Sequence, residues 1–248
     1  MKITKLETIH LAGYPNILFV AVHTDAGLVG YSDTFYMTEA LRGYIHQFAA
    51  PMLLGRDPLA IELHWRRLYE VIAHIAGKGA EIRALSAIDV ALWDIFGQAT
   101  GQPIWQLLGG AARERIKTYN TCGGPAYGKG RGSTGYGKDG KPYSQYEDLI
   151  AFMTDAGALA QDLLSEGISG MKIWPFDPVA HTPGQWNEWR DFKGVFDPHL
   201  ANIGGHTISN GDLNQALEPF RQIRAAVGDR MEIMVEGHGL WSLPAAKK

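Results

Sequence analysis

Two side chains with complementary chemistry follow an apolar segment near the end of the chain. Residues 231–235 are rich in Val, Ile and Met, which favours a buried strand, and Glu236 and His238 come directly after them. Strand side chains alternate, so we expect these two to project the same way. A carboxylate binds hard cations and an imidazole moves protons. Because strand C-termini face the active site in a parallel barrel, the pair predicts catalysis; a hydrogen-bonded polar strand edge is the alternative.

Two other segments combine structural and chemical residues. Residues 84–97 predict a core helix because apolar residues recur at helical spacing, namely Leu85, Ile88, Leu92 and Ile95. Within that helix, Asp89 and Asp94 are interpreted as structural. Residues 170–174 predict a short strand that carries Lys172, for which a solvated strand-end lysine is the alternative.

The order of the predicted elements changes along the chain. The first hundred residues predict an α+β arrangement with a hairpin formed by residues 17–31. From residue 113 strands and helices alternate, with strands at 115–121, 171–174 and 232–236, which indicates a parallel sheet. Ser144 and Glu147 form a capping box before an apolar helix that ends at Gly167, and Pro219 should kink or divide a later helix.

The length does not suffice for a complete barrel. A (β/α)₈ barrel needs roughly 250 residues, and three strands are predicted after residue 113. An open piece of barrel exposes apolar strand edges. We therefore expect a truncated chain, the N-terminal part of a longer protein, with a half-barrel completed by a partner chain as the alternative.

The block from Ser86 to Gly110, together with Lys172 and Glu236 in this order and spacing, resembles the enolase superfamily, in particular its mandelate racemase and muconate lactonizing branch. The resemblance implies an α+β capping domain at residues 1–112. It also implies that residues 113–248 are the first three β/α units of a TIM-like barrel. In that family Mg²⁺ stabilises the enediolate formed when a proton beside a carboxylate is removed.

The resemblance also suggests residue roles. Glu236 matches the first metal ligand, where many relatives have Asp, and Lys172 matches the first lysine of a K-x-K pair whose second position is Trp174. Trp174 cannot accept a proton, so lysine-base chemistry is disfavoured from that position. His238 matches a histidine that protonates the leaving hydroxyl in acid-sugar dehydratases, with an orienting role as the alternative.

The substrate site is expected to draw on the cap as well. Two cap loops, residues 13–16 and 33–37, set specificity in the family, which makes Tyr14 and Tyr36 candidate substrate-binding residues; ordinary loop packing is the alternative. Trp174, on the predicted strand that carries Lys172, is a further candidate. The glycine-rich residues 122–140 carry cations and are interpreted as a lid for an anionic substrate or as a solvated insert.

We therefore expect a Mg²⁺-dependent sugar-acid dehydratase. A racemase, epimerase or cycloisomerase on the same scaffold, and a non-catalytic barrel fragment, are the alternatives. Composition is ordinary for a globular protein, with 46% hydrophobic and 20% charged residues. The net charge of −3 gives no electrostatic case for nucleic acid or an anionic membrane, and the single cysteine fits a reducing cytosol. We expect a cytoplasmic homo-oligomer that acts on a small carboxylate; the sequence does not name the acid.

Overall fold

The computed structural model describes residues 1–74, 79–123, 148–181 and 205–248. The chain divides into two compact units, Met1–Arg115 and Ile116–Lys248. Each unit has its own buried apolar cluster among these residues. No helix in the described part of the chain is long and apolar enough to cross a membrane.

The first unit begins with a three-stranded antiparallel sheet. Its strands β1 (Ile3–His10), β2 (Ile17–Thr24) and β3 (Val29–Phe35) pair in the order β1-β2-β3. The predicted hairpin is the β2–β3 pair. Gly27 adopts a φ of 78° in the turn between them, a conformation that glycine reaches without steric cost.

Helices follow the sheet in the same unit. They are α1 (Thr38–Gly43), a π-helical turn (Tyr44–Ala49), α2 (Ala50–Leu53), α3 (Ile61–Ala73), α4 (Ala80–Thr100) and α5 (Ile104–Leu107). The core face predicted for α4 is buried, and Asp94 accepts a 2.8 Å hydrogen bond from the backbone N–H of Tyr31. Asp94 thus joins α4 to β3, which is the structural role expected for it. Helix and strand approach most closely at Gly30, where a Cβ atom would lie 1.9 Å from the carbonyl oxygen of Ala91.

The second unit is built on two parallel strands, β4 (Gly170–Ile173) and β5 (Glu232–Val235). Its helices are α6 (Asp148–Thr154), α7 (Ala156–Ser165), α8 (Phe176–His181), α9 (Asn210–Val227) and α10 (Leu243–Ala246), with a 3₁₀ turn at Gly228–Arg230. Helices α7 and α9 pack together, and Phe152, Met171 and Ile223 are fully buried in the cluster between helices and strands.

The prediction of a strand over residues 115–121 was wrong about its length. Only Asn120 pairs with β4, through a 3.0 Å bond from its N–H to the Gly170 carbonyl and a 2.8 Å bond from the Lys172 N–H to its own carbonyl. Ile116, whose apolar side chain favoured a strand, is 79% exposed. Without burial of its apolar side chain, this segment gains little from pairing over a longer stretch.

Two helix predictions also need correction. The helix predicted after residue 147 is two helices, because Asp155 ends α6 and caps α7 by accepting the N–H of Ala158 at 3.0 Å. The proposed capping box at Ser144 and Glu147 lies outside the described residues. Pro219 does not divide α9, which runs continuously from Asn210 to Val227, while a kink at Pro219 stays a prediction.

Candidate active site

Lysine and glutamate meet at the carboxyl ends of β4 and β5. Because the two strands are parallel neighbours, their carboxyl ends lie at the same edge of the sheet. The backbone N–H of Glu236 donates to the Ile173 carbonyl at 3.0 Å, which anchors the first residue beyond β5. Lys172 Nζ lies 3.4 Å from Glu236 Oε2, and it also lies 5.7 Å from the centroid of the Tyr119 ring. The structure thus brings together two residues that the sequence assigned to chemistry.

The carboxylate of Glu236 is held by its own following backbone. Its Oε1 accepts the N–H groups of Gly237 at 3.0 Å and of His238 at 2.9 Å. These bonds favour the ionised form, with the His238 N–H as the largest cause, and they lower the pKa of Glu236 with help from the Lys172 ammonium. An anionic oxygen therefore faces Lys172 at neutral pH.

His238 is positioned by a turn rather than by a strand. The strand ends at Val235, and His238 has a φ of 45°, in the left-handed region. The prediction that Glu236 and His238 project together rested on strand alternation, but β5 ends at Val235 and the alternation does not extend to either residue. The two remain close for a different reason, which is that the turn brings the N–H of His238 to the Glu236 carboxylate.

The imidazole of His238 contacts a buried acid that the sequence analysis did not identify. Its Nδ1 lies 2.6 Å from Oδ2 of Asp177, in the first turn of α8, and Asp177 is fully buried. This hydrogen bond raises the pKa of His238 above its ordinary value, although partial burial of the ring opposes the shift. Sequence offered only a weak signal for Asp177, an acid shortly after β4 and thus on the catalytic side of the sheet.

Trp174 is one of the predicted substrate-binding residues. Its indole is 5% exposed and lies edge-to-face against the His238 ring, with centroids 5.5 Å apart. The Phe152 ring lies 5.6 Å from it on another side. Substrate contact by Trp174 stays a prediction; the packing shown is that of a buried side chain that supports His238.

A second polar group lies beside β4. Asn120 donates from Nδ2 to Asp148 at 2.9 Å and accepts the N–H of Cys122 at 2.7 Å. Burial raises the pKa of Asp148, and it raises the pKa of the Cys122 thiol to about 12. The thiol is buried and stays protonated at neutral pH, so it is not suited to act as a nucleophile.

The two tyrosines proposed for substrate binding lie in adjoining loops of the first unit. The N–H of Tyr36 donates to the Asn16 carbonyl at 2.8 Å, and Tyr14 closes the preceding turn through a 2.9 Å bond to Leu11. Tyr14 is 40% exposed, while the Tyr36 ring lies 5.5 Å from the Arg83 guanidinium. The proposed lid at residues 122–140 lies almost entirely outside the described residues, and the substrate role of both tyrosines stays a prediction.

Glu236 has the donor chemistry of a Mg²⁺ ligand, since a carboxylate oxygen is hard and is oriented here by two N–H groups. Within residues 1–74, 79–123, 148–181 and 205–248, no three His, Cys, Asp or Glu residues come together as a metal-holding group. Mg²⁺ is commonly held by one or two carboxylates, water and substrate, so Glu236 fits as a single ligand of such a site.

Comparison with known proteins identifies the family. Residues 6–109 match the model of the mandelate racemase / muconate lactonizing enzyme N-terminal domain. A D-galactonate dehydratase family member of Streptomyces bingchenggensis is 44% identical over 111 residues, which are 44% of this chain and 27% of that protein. A D-galactonate dehydratase of Xanthomonas axonopodis pv. citri is 40% identical over 126 residues, 50% of this chain and 32% of that protein.

A solved structure is similar over the whole chain. An enolase of the mandelate racemase subgroup from Agrobacterium tumefaciens is 42% identical with a TM-score of 0.74, and the match covers 100% of this chain and 53% of that one. The chain thus spans about half the length of this relative. Residues 6–109 are the N-terminal capping domain of the mandelate racemase and muconate lactonizing enzyme branch of the enolase superfamily, and the chain as a whole is similar to an enolase of that subgroup.

Proposed function

We propose that the whole protein is a Mg²⁺-dependent dehydratase of a sugar acid. The observation that carries this proposal is the meeting of Lys172, Glu236 and the His238–Asp177 pair at the carboxyl ends of β4 and β5. D-Galactonate is the first substrate to test, because relatives that are 40–44% identical over the matched part carry that activity in their names.

Lys172 and Glu236 act on the carboxylate end of the substrate. Lys172 is 22% exposed, which leaves its ammonium accessible to a substrate anion while it stays within 3.4 Å of Glu236. Its positive charge favours the enediolate, in which negative charge grows on the substrate oxygens. Glu236 would be one ligand of Mg²⁺, and the bound ion would supply further charge stabilisation to those oxygens.

His238 supplies the proton that lets the hydroxyl leave. As the β-carbon–oxygen bond breaks, the hydroxyl takes a proton from His238 and departs as water, while the electrons of the enediolate form the new carbon–carbon double bond. The α-proton goes to a separate base that is not among the residues assigned here. General acid catalysis of this kind contributes about 10²–10⁴ in rate.

The test is to incubate the whole protein and Mg²⁺ in D₂O with D-galactonate, and then with each of a panel of acid sugars. NMR follows what happens to each acid. Wild type should lose water from one or more of these acids. His238→Asn should lose dehydration by about 10²–10⁴ but keep exchange of the α-proton with solvent deuterium, because the separate base is intact.

His206→Asn is the matched control, since His206 is an exposed histidine of the same unit. It should dehydrate like wild type. Inversion at the α-carbon without loss of water would identify an isomerase and contradict the proposal. Unimpaired dehydration by His238→Asn would remove His238 from the acid role.

A further inference from the structure

We propose that Asp177 is a positioning residue for His238: its buried carboxylate accepts the Nδ1–H of the imidazole, so that Nε2 is the nitrogen that carries the proton to the substrate. This inference rests on the proposed dehydratase function and deepens it. Nothing in the family match concerns Asp177, because that match ends at residue 109.

The position of Asp177 suits an orienting role. Its side chain is fully buried, whereas the His238 side chain is 28% exposed, so the acid lies on the inner side of the pair. Its backbone is tied to the residue that follows β4, because its N–H donates to the Trp174 carbonyl at 3.3 Å. A carboxylate held this way can orient the imidazole that it contacts.

The hydrogen-bond chemistry selects one form of the ring. The Nδ1–Oδ2 distance is 2.6 Å, and an ionised carboxylate has only acceptor capacity, so Nδ1 must carry the hydrogen. The short contact is typical of charge-assisted hydrogen bonds. Protonated imidazole carries hydrogen on both ring nitrogens, and Nε2 donates its hydrogen to the substrate. The neutral ring that remains keeps one hydrogen, on Nδ1.

Two further contacts restrict the orientation of the ring. The Trp174 indole lies edge-to-face against the imidazole at 5.5 Å, with the two planes 84° apart. The backbone of His238 lies in the left-handed region, and its N–H is bonded to Glu236 at 2.9 Å. A non-glycine residue in that region is strained, and such strain clusters at functional sites. Backbone, indole and carboxylate therefore restrict the same side chain.

The test compares Asp177→Leu, which removes the acceptor, with Asp177→Asn, which keeps an acceptor oxygen at nearly the same volume. Long-range ¹⁵N–¹H NMR spectra of the whole protein report which ring nitrogen of neutral His238 carries hydrogen, with the signal assigned by its loss in His238→Asn. Wild type should show Nδ1–H, and Asp177→Leu should shift to Nε2–H. Dehydration should fall about 10²-fold or more, with α-proton exchange retained.

Asp177→Asn should recover part of the lost rate, which a purely structural defect does not predict. Asp212→Ala is the control, because Asp212 is a comparably buried acid bonded to Ser209 at the start of α9; it should leave the His238 tautomer unchanged. If Asp177→Leu does not fold, Asp177→Ala supplies the same measurements without adding apolar bulk.

The proposal is overturned if His238 stays Nδ1–H without Asp177, or if that variant dehydrates at the wild-type rate while His238→Asn does not. Failure of the dehydratase function itself gives a different result, since wild type then loses no water from any acid sugar and the ¹⁵N spectra still report the tautomer.

Discussion

Replacement of Lys172 by Met should separate catalysis from stability. At a separation of 3.4 Å, the Coulomb attraction between Lys172 and Glu236 is about 1 kcal/mol in water and about 5 kcal/mol at an effective dielectric constant of 20. The side chains are 22% and 36% exposed, so water screens the pair and the lower figure applies. The contact with the Tyr119 ring adds about 0.5–1 kcal/mol.

Lys172→Met should therefore lower the free energy of unfolding by about 1–2 kcal/mol, as measured by urea titration. The rate of dehydration should fall far more, by about 10²–10³, the usual effect of removing a donor that stabilises developing negative charge. Mg²⁺ affinity should not weaken, because the substitution removes a cation from beside a metal-binding carboxylate.

Lys117→Met is the matched control for this prediction. Lys117 pairs with Glu232 at the other end of β5, and both side chains are more than 60% exposed. It should change neither stability nor turnover appreciably. Turnover of Lys172→Met within a few-fold of wild type, or a loss of rate in the control as large as in Lys172→Met, would refute the assignment.

Three further variants test other parts of the structure. Glu236→Gln keeps the shape but removes the charge, so Mg²⁺ affinity measured by calorimetry should collapse together with turnover; unchanged affinity would contradict the ligand role. Gly30→Ala should lower the free energy of unfolding, measured by urea titration, by about 3 kcal/mol, because its Cβ would lie 1.9 Å from a backbone oxygen of α4. Gly43→Ala is its control: it lies at a helical position with open space and should raise the free energy of unfolding by about 0.5–1 kcal/mol. Burial raises the pKa of Asp148 above 3.8, so the folded state holds this proton more tightly than the unfolded state, and stability falls as pH rises from the unfolded-state pKa through the folded-state pKa. Asp148→Asn should thus gain stability relative to wild type as pH rises above 3.8 in urea titrations, and a pH-independent difference would contradict this sign.

Much of the fold follows from local sequence patterns. The spacing of Leu85, Ile88 and Leu92 indicates one buried helical face, and all three are buried on α4. The residues around Lys172 and the apolar run before Glu236 indicate strands, and β4 and β5 lie there. Such patterns are readable because helical and strand periodicities are properties of neighbouring residues along the chain.

Local sequence patterns predicted the boundaries of the elements less well than their presence. Strand formation at residues 115–121 depends on burial of its side chains, and a local pattern does not contain that information. Asp155 divides a helix that apolar periodicity presents as continuous, since its capping bond to Ala158 competes with helix continuation. Pro219, expected to kink or divide α9, does not divide it.

By itself, the sequence determined the two strands and the presence of Lys172, Glu236 and His238 near their carboxyl ends. Tertiary structure decided how these groups are arranged. It ended β5 at Val235, turned His238 into the left-handed region and placed Asp177, 61 positions away in the chain, 2.6 Å from its imidazole. Contacts between residues so distant in sequence depend on how separate elements pack, and side-chain hydrogen bonds of this kind leave no periodic signal along the chain.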